Sequence, residues 1–532
     1  MQPKTKTFIS RNILSTIIIS LVSIGSLAQT PYHKPTLVIG IVVEGLNDDY
    51  ISHLQECFVD GGFKRLTKDG VSIGNVDFGP GLDPVAATAI IYTGASPNVT
   101  GIPAATIYDA TLRKGRHSLL DPQEIGNFTN ETYSPKSIAV STISDEIRLD
   151  AQGIGSVHSL SSDSHKSIIM AGHAANSAFW INDTNGQWAT TTYYKDVPTP
   201  IAGRNYNAPI AERLDTMTWA PLLPIDLYPD IPEYRRKFTF RYTFPKKEVD
   251  RYLQYKATPL ANTEITDMAC DYITTMSLGR HGAIDMLNIA YTVTPYAYAN
   301  ESDTRMETMD AYVRLDRDLA LLFNTIDRNV GAENALIFLA ATPPPMTGKR
   351  DDEKWGVPSG QFSPKRAVSL LNMYLMALHG NGEWVSGYHE GQFFLNAKTI
   401  KEKSLDVASV RAEAADFLGR MSGISNVFTI DDIISNRAGE NASALKRNTS
   451  IKHSGDVIIS VTPGWEITND DTRTNNTVVR EGYVPTPFFV MWPGVKPQRI
   501  ETPVDARTIA PTISRLLRIR SPNAASAPAL RL

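Results

Sequence analysis

Residues 77–94, DFGPGLDPVAATAIIYTG, contain the clearest strand-to-helix turn in this chain, and that turn indicates the class of fold. Its first half has enough Gly and Pro to break any regular element. Asp83 before Pro84 is typical of a helix N-cap followed by Pro at the first helical position. The small apolar residues that follow predict a helix buried against a sheet, which Gly94 and Pro97 end. A helix that begins at a sheet edge also offers an anion-binding N-terminus.

Apolar runs on both sides of this turn predict a parallel sheet. Residues 37–43, LVIGIVV, are typical of a strand covered on both faces, and residues 71–76 predict the next strand. Alternating strands and helices are typical of a doubly wound sheet. Further strands are predicted at residues 283–291, 335–340, 457–461 and 488–492. The fold class is therefore predicted to be α/β, a three-layer α/β/α sandwich with a mainly parallel sheet.

The periodic pattern fails at residues 179–256, where Pro, Tyr, Asn and Thr are frequent and alternation is weak. This segment is predicted to be a cap-like insertion of short strands and loops over the sheet. The predicted domains are therefore a first core part at residues 35–178, the insertion at residues 179–256 and a second core part at residues 257–532. Residues 134–149 predict a capped amphipathic helix, and residues 166–170 a short strand.

The N-terminus has the pattern of a secretory signal peptide. Basic residues precede an apolar run at residues 13–27, and Ser26 and Ala28 are the small residues expected before a cleavage site. Residues 1–28 are predicted to be removed after Ala28, with the mature protein periplasmic or secreted and without a transmembrane span. An uncleaved N-terminal anchor is the alternative, although the run is shorter than the roughly 20 residues that a span needs.

The charge balance limits the classes of partner, and the cysteine content limits the possible disulfides. The 52 Lys and Arg residues nearly balance the 56 Asp and Glu residues, so no electrostatic feature favours nucleic acid or an anionic membrane. The two cysteines are Cys57 and Cys270. They could pair in an oxidising compartment or remain separate buried thiols, and the second arrangement is the more common for thiols far apart in sequence.

Several short motifs occur in the order found in a known superfamily. They are GGFKRL at residues 61–66, IYTG at 91–94, GIPAATIYD at 101–109, AGHAANSAFW at 171–180, YVRLDRDL at 312–319, TIAPTISRLL at 508–517 and SPNAAS at 521–526. With the first strand and Glu44, they resemble the alkaline-phosphatase superfamily. The resemblance is closest to its periplasmic, two-zinc, Thr-nucleophile branch, near the type I phosphodiesterase/nucleotide pyrophosphatases. It runs from about residue 37 to the C-terminus and implies the same α/β/α fold.

The resemblance also implies a two-zinc site, with carboxylate and imidazole ligands at strand ends and an alcohol activated by the metal. The first Asp ligand of the family falls on Glu44, the one plausible remnant ligand. The nucleophilic Thr falls on Pro84, which has no nucleophilic atom, so the nucleophile is lost unless Asp83 substitutes for it. The remaining ligand positions, an Asp-x-x-x-His pair, an Asp-His dipeptide and a distal His, fall on Pro295 and Ala299, Thr342 and Pro343, and Asn476.

The substrate-binding positions that the resemblance implies are replaced as well. The Asn that would contact a phosphoryl oxygen falls on Ala105, and the Lys and Arg of a Lys-Asp-Arg segment fall on Asp163 and His165. An Asp in place of a cation repels a phosphate dianion. No two histidines have HxxxH or HxH spacing, so a sparse site of Glu44, Asp163 and His165 is the metal alternative that stays open.

Two further sets of residues have a structural and a functional interpretation. Tyr291, Tyr296, Tyr298 and Trp355 could line an aromatic pocket or pack in the core, and core packing is favoured. His173, within the AGHAAN segment, is predicted to be a structural hydrogen-bonding residue.

The predicted function combines a retained scaffold with replaced chemistry. The chain is predicted to be an exported, catalytically degenerate member of the superfamily with a binding or envelope-assembly role. No cofactor is expected, and the partner is an envelope protein, a glycan or a small molecule. The alternative is an active metal-dependent phosphomonoesterase or phosphodiesterase with a rearranged site, which would require zinc.

Overall fold

A computed structural model of the chain describes residues 33–79, 81–301, 303–344, 359–439, 442–468, 477–479 and 485–532. The chain divides into Met1–Lys34 and Pro35–Leu532, and every element below belongs to the second unit. The predicted signal peptide at residues 1–28 lies outside the described residues. Within the described ranges, no helix is both long and apolar enough to cross a bilayer.

The strands, in chain order, are β1 (Leu37–Glu44), β2 (Val71–Asp77), β3 (Thr106–Asp109), β4 (Lys114–His117), β5 (Gly126–Asn127), β6 (Val157–Ser161), β7 (Ser177–Ile181), β8 (Trp188–Thr191), β9 (Thr218–Trp219), β10 (Tyr242–Thr243), β11 (Asp285–Thr292), β12 (Ala335–Thr342), β13 (Gln361–Phe362), β14 (Val385–His389), β15 (Gln392–Leu395), β16 (Ile424–Thr429), β17 (Val457–Val461), β18 (Glu466–Ile467), β19 (Thr477–Val478), β20 (Thr486–Met491), β21 (Gln498–Ile500) and β22 (Val504–Asp505).

The α-helices, in chain order, are α1 (Asp48–His53), α2 (Phe63–Asp69), α3 (Pro84–Thr93), α4 (Pro97–Thr100), α5 (Ile143–Asp150), α6 (Ser164–Ala171), α7 (Thr199–Asn207), α8 (Ile210–Arg213), α9 (Glu233–Lys237), α10 (Arg251–Lys256), α11 (Pro259–Thr275), α12 (Arg305–Asn329), α13 (Pro364–His379), α14 (Ala397–Glu402), α15 (Val407–Gly419), α16 (Ile430–Ile434), α17 (Ala442–Asn448) and α18 (Ile509–Leu517).

The described residues contain an 11-stranded central sheet in the order β21-β2-β20-β12-β1-β11-β6-β7-β8-β5, with β22 paired to β2. Its centre is parallel, since β1 pairs in parallel with β11 and β12, and β6 with β11 and β7. Towards the edges β20 runs antiparallel to β12 and β2, and β8 runs antiparallel to β7. The sheet is mixed and mostly parallel, as predicted.

Alternate residues of β1 enter two different hydrophobic cores. Ile39 and Ile41 pack in the core that contains α11 and α12, whereas Val38 and Val42 pack in the core that contains α3, α5 and α18. All of them are fully buried. A strand whose two faces are both covered needs apolar residues at every position, which explains the continuous run at residues 37–43. The predicted three-layer α/β/α sandwich is confirmed.

The turn at residues 77–94 has the predicted form. β2 ends at Asp77, and α3 begins at Pro84 with Asp83 as its N-cap, whose side chain accepts a hydrogen bond from the Val85 amide. α3 is buried along nearly its whole length and ends at Gly94, which adopts the left-handed conformation with φ 66°. Gly tolerates this backbone because it has no Cβ.

Two local predictions between residues 134 and 171 are wrong. Residues 166–170 belong to helix α6, and the strand of this unit is β6, which precedes it. A short apolar run does not distinguish a buried strand from a buried helix, and the N-cap Asp163 was the missed signal. The capped helix predicted at residues 134–149 is shorter, since α5 begins only after Thr142, which forms a capping box with Asp145.

The segment predicted as a cap-like insertion begins inside the central sheet. The boundary at residue 179 falls within β7, and β8 continues the sheet. The following short elements pack on α12 through buried carboxylates. Asp310 accepts hydrogen bonds from Trp219 Nε1 at 2.7 Å and from the Tyr228 hydroxyl at 2.6 Å, and Glu307 pairs with Arg235 at 2.6 Å. These bonds hold the segment on one face of the sheet.

Residues 359–439 and 442–468, here called the inserted subdomain, have a sheet and a core of their own. The sheet is β14-β15-β17-β16, with antiparallel pairing throughout, and helices α13 and α15 pack on it. Leu371, Trp384, Phe393 and Leu418 are fully buried in this core. The sequence analysis placed these residues in the second core part, because their short strands and helices have the same pattern as those of the main sheet.

Candidate functional site

The carboxyl ends of three neighbouring strands place Glu44 at the centre of one sheet edge. Glu44 lies opposite Thr292 of β11 and Thr342 of β12 in the parallel register. The chain stays close beyond the strand ends, since the Val293 amide donates to the Glu44 carbonyl at 2.9 Å. In open α/β sheets, ligands bind outside the carboxyl ends of the strands. The structure therefore brings Glu44 and Thr342 together at the edge where the resemblance places the metal site.

Lys166 occupies the position beside Glu44. Its ammonium donates a hydrogen bond to Glu44 Oε2, and the side chains are only 8% and 16% exposed. Burial alone would lower the pKa of Lys166, but the carboxylates of Glu44 and Asp163 outweigh burial and raise the pKa above its ordinary value. Lys166 is therefore a cation at neutral pH, and its charge compensates that of Glu44. The sequence analysis missed Lys166 because it assigned the segment to a strand.

Asp163 keeps its negative charge within the same cluster. As the N-cap of α6 it accepts a hydrogen bond from the Lys166 amide at 3.0 Å. Burial alone would raise the pKa of Asp163, but the His165 side chain and the Lys166 ammonium hold it well below its usual range. A carboxylate thus stands where the resemblance implies a phosphate-binding Lys.

His165 and Ala105, two of the replaced substrate positions, are in contact. The His165 Nε2–H donates to the Ala105 carbonyl at 2.7 Å, and the His165 ring stacks on His117 with centroids 3.5 Å apart. Tyr133 covers the other face of His117 at 3.7 Å. His165 is held by these contacts and is buried, so it lines a packed wall.

His117 cannot activate the neighbouring Ser164 as a general base. Its Nδ1 accepts a hydrogen bond from the Leu119 amide at 3.1 Å, so the proton resides on Nε2, which donates to Ser164 Oγ at 3.1 Å. Burial, reinforced by the nearby His165, lowers the pKa of His117 to about 3. Activation of a hydroxyl needs an acceptor nitrogen directed at it. His117 directs a donor nitrogen, and no acceptor nitrogen, at the Ser164 hydroxyl.

The nucleophile position at the start of α3 is a helix cap. Pro84 is the first helical residue, and Asp83 Oδ1 accepts from the Val85 amide at 2.7 Å. Burial raises the pKa of Asp83 to about 6, with a further contribution from Glu390. Thr88 is fully buried one turn inside the helix, where its hydroxyl donates to the Pro84 carbonyl at 2.9 Å. Neither side chain presents a nucleophile activated by a base.

The loop of Pro295 and Ala299 is packed with aromatic side chains. Tyr296, only 4% exposed, contacts Trp219 and Tyr242 with ring centroids 5.1 and 4.6 Å apart. Ala299 is buried beside it. These contacts fill the space at the loop with hydrocarbon and leave no side-chain donor at either position.

Of the four aromatic residues named in the sequence analysis, the structure describes three. Tyr291 is buried and hydrogen-bonds Thr266, Tyr296 is buried, and Tyr298 is partly exposed. Core packing therefore applies to Tyr291 and Tyr296. Trp355 lies outside the described residues.

The ligand positions Thr342 and Pro343 do not fit a zinc ion. Thr342 is fully buried, its hydroxyl has no hydrogen-bond partner among the described residues, and a neutral alcohol next to Pro343 does not replace an Asp-His pair. Asn476 lies outside the described residues. Within the described ranges, no group of three or more His, Cys, Asp or Glu side chains is placed to hold a metal ion. The Glu44 and Asp163 carboxylates lie close to Lys166, whose ammonium takes the position of a cation, and His165 lies 3.9 Å from Asp163.

The tip of the β14-β15 hairpin reaches the site from the inserted subdomain. Thr106, next to Ala105, donates to Glu390 Oε1 at 2.8 Å and lies 3.0 Å from His389 Nε2. The sequence analysis did not associate these residues with the site, because almost 300 residues separate them from Thr106 and no motif marks them. Only the tertiary structure brings them together.

His173 and the cysteines lie away from this cluster. His173 Nδ1 pairs with Asp145 at 3.0 Å and its Nε2–H donates to the Ile138 carbonyl at 3.0 Å, so both nitrogens donate. The hydrogen bond to Asp145 raises the pKa of His173, which is the predicted structural histidine. Cys57 and Cys270 are separate thiols.

Known proteins match this chain over most of its length. The sequence model of the type I phosphodiesterase/nucleotide pyrophosphatase family matches residues 38–484. The alkaline phosphatase PafA of Elizabethkingia meningoseptica is 29% identical over 511 residues, which cover 92% of this chain and 93% of PafA. The alkaline phosphatase PhoV of Synechococcus elongatus is 27% identical over 515 residues, which cover 92% of this chain and 91% of PhoV.

The fold agrees with these matches. The crystal structure of wild-type PafA is similar to this structure with a TM-score of 0.80 and 28% identity, over 94% of this chain and 98% of that chain. The chain belongs to the type I phosphodiesterase/nucleotide pyrophosphatase family, within the alkaline-phosphatase superfamily.

Proposed function

We propose that this protein is an exported, catalytically degenerate member of the family, which acts by binding at the cell envelope. The observation that carries the proposal is the ion pair between Lys166 and Glu44. The one carboxylate that could remain from the family's metal site is already neutralised by a side chain of the same protein.

The ion pair opposes metal binding in two ways. A divalent cation at Glu44 would have to displace the Lys166 ammonium or lie next to it, and like charges a few ångströms apart repel strongly in a partly buried site. A displaced Lys166 would lose its partner while it remains almost entirely buried, which is costly. None of Pro295, Ala299 and Pro343 has a side-chain atom that could bind the metal and offset this cost.

The same cluster disfavours a phosphoryl substrate. Asp163 stays ionised, and His165 directs its Nε2–H at the Ala105 carbonyl. A phosphate dianion placed among these groups would meet a fixed negative charge and no free cationic partner among the residues described above. The retained scaffold then supplies a shaped surface for binding.

Export is supported by the basic and apolar pattern of residues 1–28, with the small residues that precede the predicted cleavage after Ala28. The partner is an envelope protein, a glycan or a small molecule. The nearly balanced charge gives no support to nucleic acid as a partner.

An active metal-dependent phosphatase is the second candidate, because relatives that cover over nine-tenths of the chain are named alkaline phosphatases. The two candidates differ in zinc content and in turnover of p-nitrophenyl phosphate and bis(p-nitrophenyl) phosphate. We expect no bound zinc after dialysis into metal-free buffer and no turnover above that of the Glu44→Gln variant. Stoichiometric zinc, with turnover that Glu44→Gln abolishes, would overturn the proposal.

A variant that restores the nucleophilic side chain provides a second test. Pro84→Thr restores the family's nucleophilic side chain but none of the cation ligands, and we expect it to remain inactive with both substrates. Activity of this variant with added zinc would show that the cation sites are intact and would contradict the proposal.

A further inference from the structure

A cavity of about 1000 Å³ lies between the end of β2, the turn before α3 and the inserted subdomain. Its lining includes Asn75 of β2, Phe78 and Leu82 of the turn, Pro343 after β12, and Asn426 and Ser460 of the inserted subdomain. Glu44, Lys166, Asp163 and His165 are not among its lining residues. The volume is at the upper end of the range for small-molecule sites, which is about 300–1000 Å³.

The charged groups that line this cavity, counted over the described residues, balance one another. Asp77 and Asp505 are neighbours in the parallel register of β2 and β22. Arg507 pairs with Asp505 at 2.5 Å, and Arg447 is close enough to help hold the pKa of Asp505 low. Two carboxylates and two guanidinium groups give no net charge, which disfavours both a phosphate and a polycation as the ligand.

The uncharged lining is mixed in the way that sugar recognition requires. The lining contains the amides of Asn75 and Asn426 and the hydroxyl of Ser460, together with the apolar side chains of Phe78, Leu82 and Pro463. Amide, carboxylate and guanidinium groups offer the paired donors and acceptors that hydroxyl groups need, and apolar surface covers the C–H faces of a sugar ring. Asn426 and Ser460 are exposed, so a ligand can reach them without unfolding the wall.

We propose that this cavity binds a neutral, hydroxyl-rich ligand, a short oligosaccharide, between the sheet edge and the inserted subdomain. The inference rests on the proposed function, because it names the class of ligand that a binding protein of this kind would hold. The cavity borders the site described above at Pro343, but no residue of the Lys166 cluster lines it, and the proposal does not depend on any metal.

Isothermal titration of the purified protein with maltotriose, cellotriose and chitotriose tests the proposal, and tripolyphosphate serves as an anionic probe. We expect at least one neutral trisaccharide to bind with Kd of about 1 mM or tighter and tripolyphosphate not to compete with it. Asn426→Leu and Arg447→Leu should each weaken binding about tenfold, because each removes groups that bond to hydroxyls. The matched control Asn207→Leu, exposed at the end of α7, should bind like the wild type.

Two outcomes overturn the inference. One is the absence of binding by all three trisaccharides at about 10 mM, and the other is binding that Asn426→Leu and Arg447→Leu leave unchanged in folded protein. Both can occur in a protein without zinc or turnover, so the inference can fail while the proposed function holds. Turnover of the aryl phosphates, in contrast, overturns the proposed function whether or not a sugar binds.

Discussion

The Lys166 ammonium donates a hydrogen bond to the Glu44 carboxylate at the carboxyl edge of the central sheet, with both side chains largely buried. The pair joins the end of β1 to the first turn of α6, two elements separated by 122 positions in the chain. An internal cation thus balances the acidic residue that ends the first strand. This arrangement has consequences for stability that do not depend on any assay of activity.

Removal of one partner of this pair should destabilise the fold more than removal of both. Lys166→Met leaves Glu44 without its cation, and we expect a loss of order 3 kcal/mol in the free energy of unfolding. Glu44→Gln should cost a similar amount, because it leaves the ammonium buried without its partner. The double variant should recover most of the loss, and urea unfolding of the four proteins measures the coupling. Additive losses would show that the two charges do not interact.

Asp310 should be essential for the packing of residues 218–243 on α12. Its carboxylate accepts hydrogen bonds from Trp219 and Tyr228, and Asp310→Ala leaves both donors buried and unpaired. We expect a loss of about 3 kcal/mol and faster proteolysis within this segment, because each unpaired donor costs about 1–3 kcal/mol. The control is Asp226→Ala, since the Asp226 side chain is 89% exposed in its pair with Arg236. It should change stability by less than about 0.5 kcal/mol.

The stability of the cap at Asp83 should depend on pH. Burial raises the pKa of Asp83 to about 6 in the folded protein, above the ordinary value of 3.8. The folded state therefore holds its proton more tightly, and the contribution of Asp83 to stability falls as pH rises from about 4 to about 6. Asp83→Asn keeps the capping oxygen without the charge. The free energy of unfolding of this variant, relative to that of the wild type, should therefore be higher at about pH 7.5 than at about pH 4.

Chemical unfolding of the wild type and Asp83→Asn at the two pH values measures this difference. A stability difference that is the same at both values would show that folding does not raise the pKa of Asp83, contrary to the expectation.

The buried hydroxyl of Thr342 should be dispensable, unlike that of Thr486. Both residues are fully buried at strand ends, but Thr342 Oγ1 has no partner in the part of the chain that the structure describes, whereas Thr486 Oγ1 donates to the Val76 carbonyl at 2.7 Å. Thr342→Val removes an unsatisfied polar group and should be neutral or stabilising by up to about 1 kcal/mol. Thr486→Val removes the hydrogen bond to the Val76 carbonyl, so we expect a loss of about 1–2 kcal/mol in the free energy of unfolding.

Thermal unfolding of these two valine variants provides the comparison. A loss at Thr342 as large as that at Thr486 would show that the Thr342 hydroxyl has a partner, such as an ordered water or a bound ion. A bound ion at Thr342 would also count against the proposed function, since the resemblance places one of the family's metal ligands at this residue.

Local chemistry allowed much of the fold to be predicted. The N-cap of Asp83 and Pro84 set the start of α3, and the continuous apolar run at residues 37–43 predicted a strand with both faces covered. The predictions failed where a short apolar segment is compatible with both a buried strand and a buried helix, as at residues 166–170. They also missed the separate core of the inserted subdomain, because a boundary between two packed cores has no local signal.

The sequence by itself determined the class of fold and the turn before α3, and it places a residue without a nucleophilic atom, Pro84, where the resemblance implies the nucleophile. These follow from backbone preferences and from side-chain chemistry at single positions. Only the tertiary structure decided that Lys166 meets Glu44, that His389 and Glu390 reach Thr106, and that Tyr296 packs against Trp219. Contacts of this kind depend on strand register and on the packing of distant segments, and neither is encoded in the spacing of neighbouring residues.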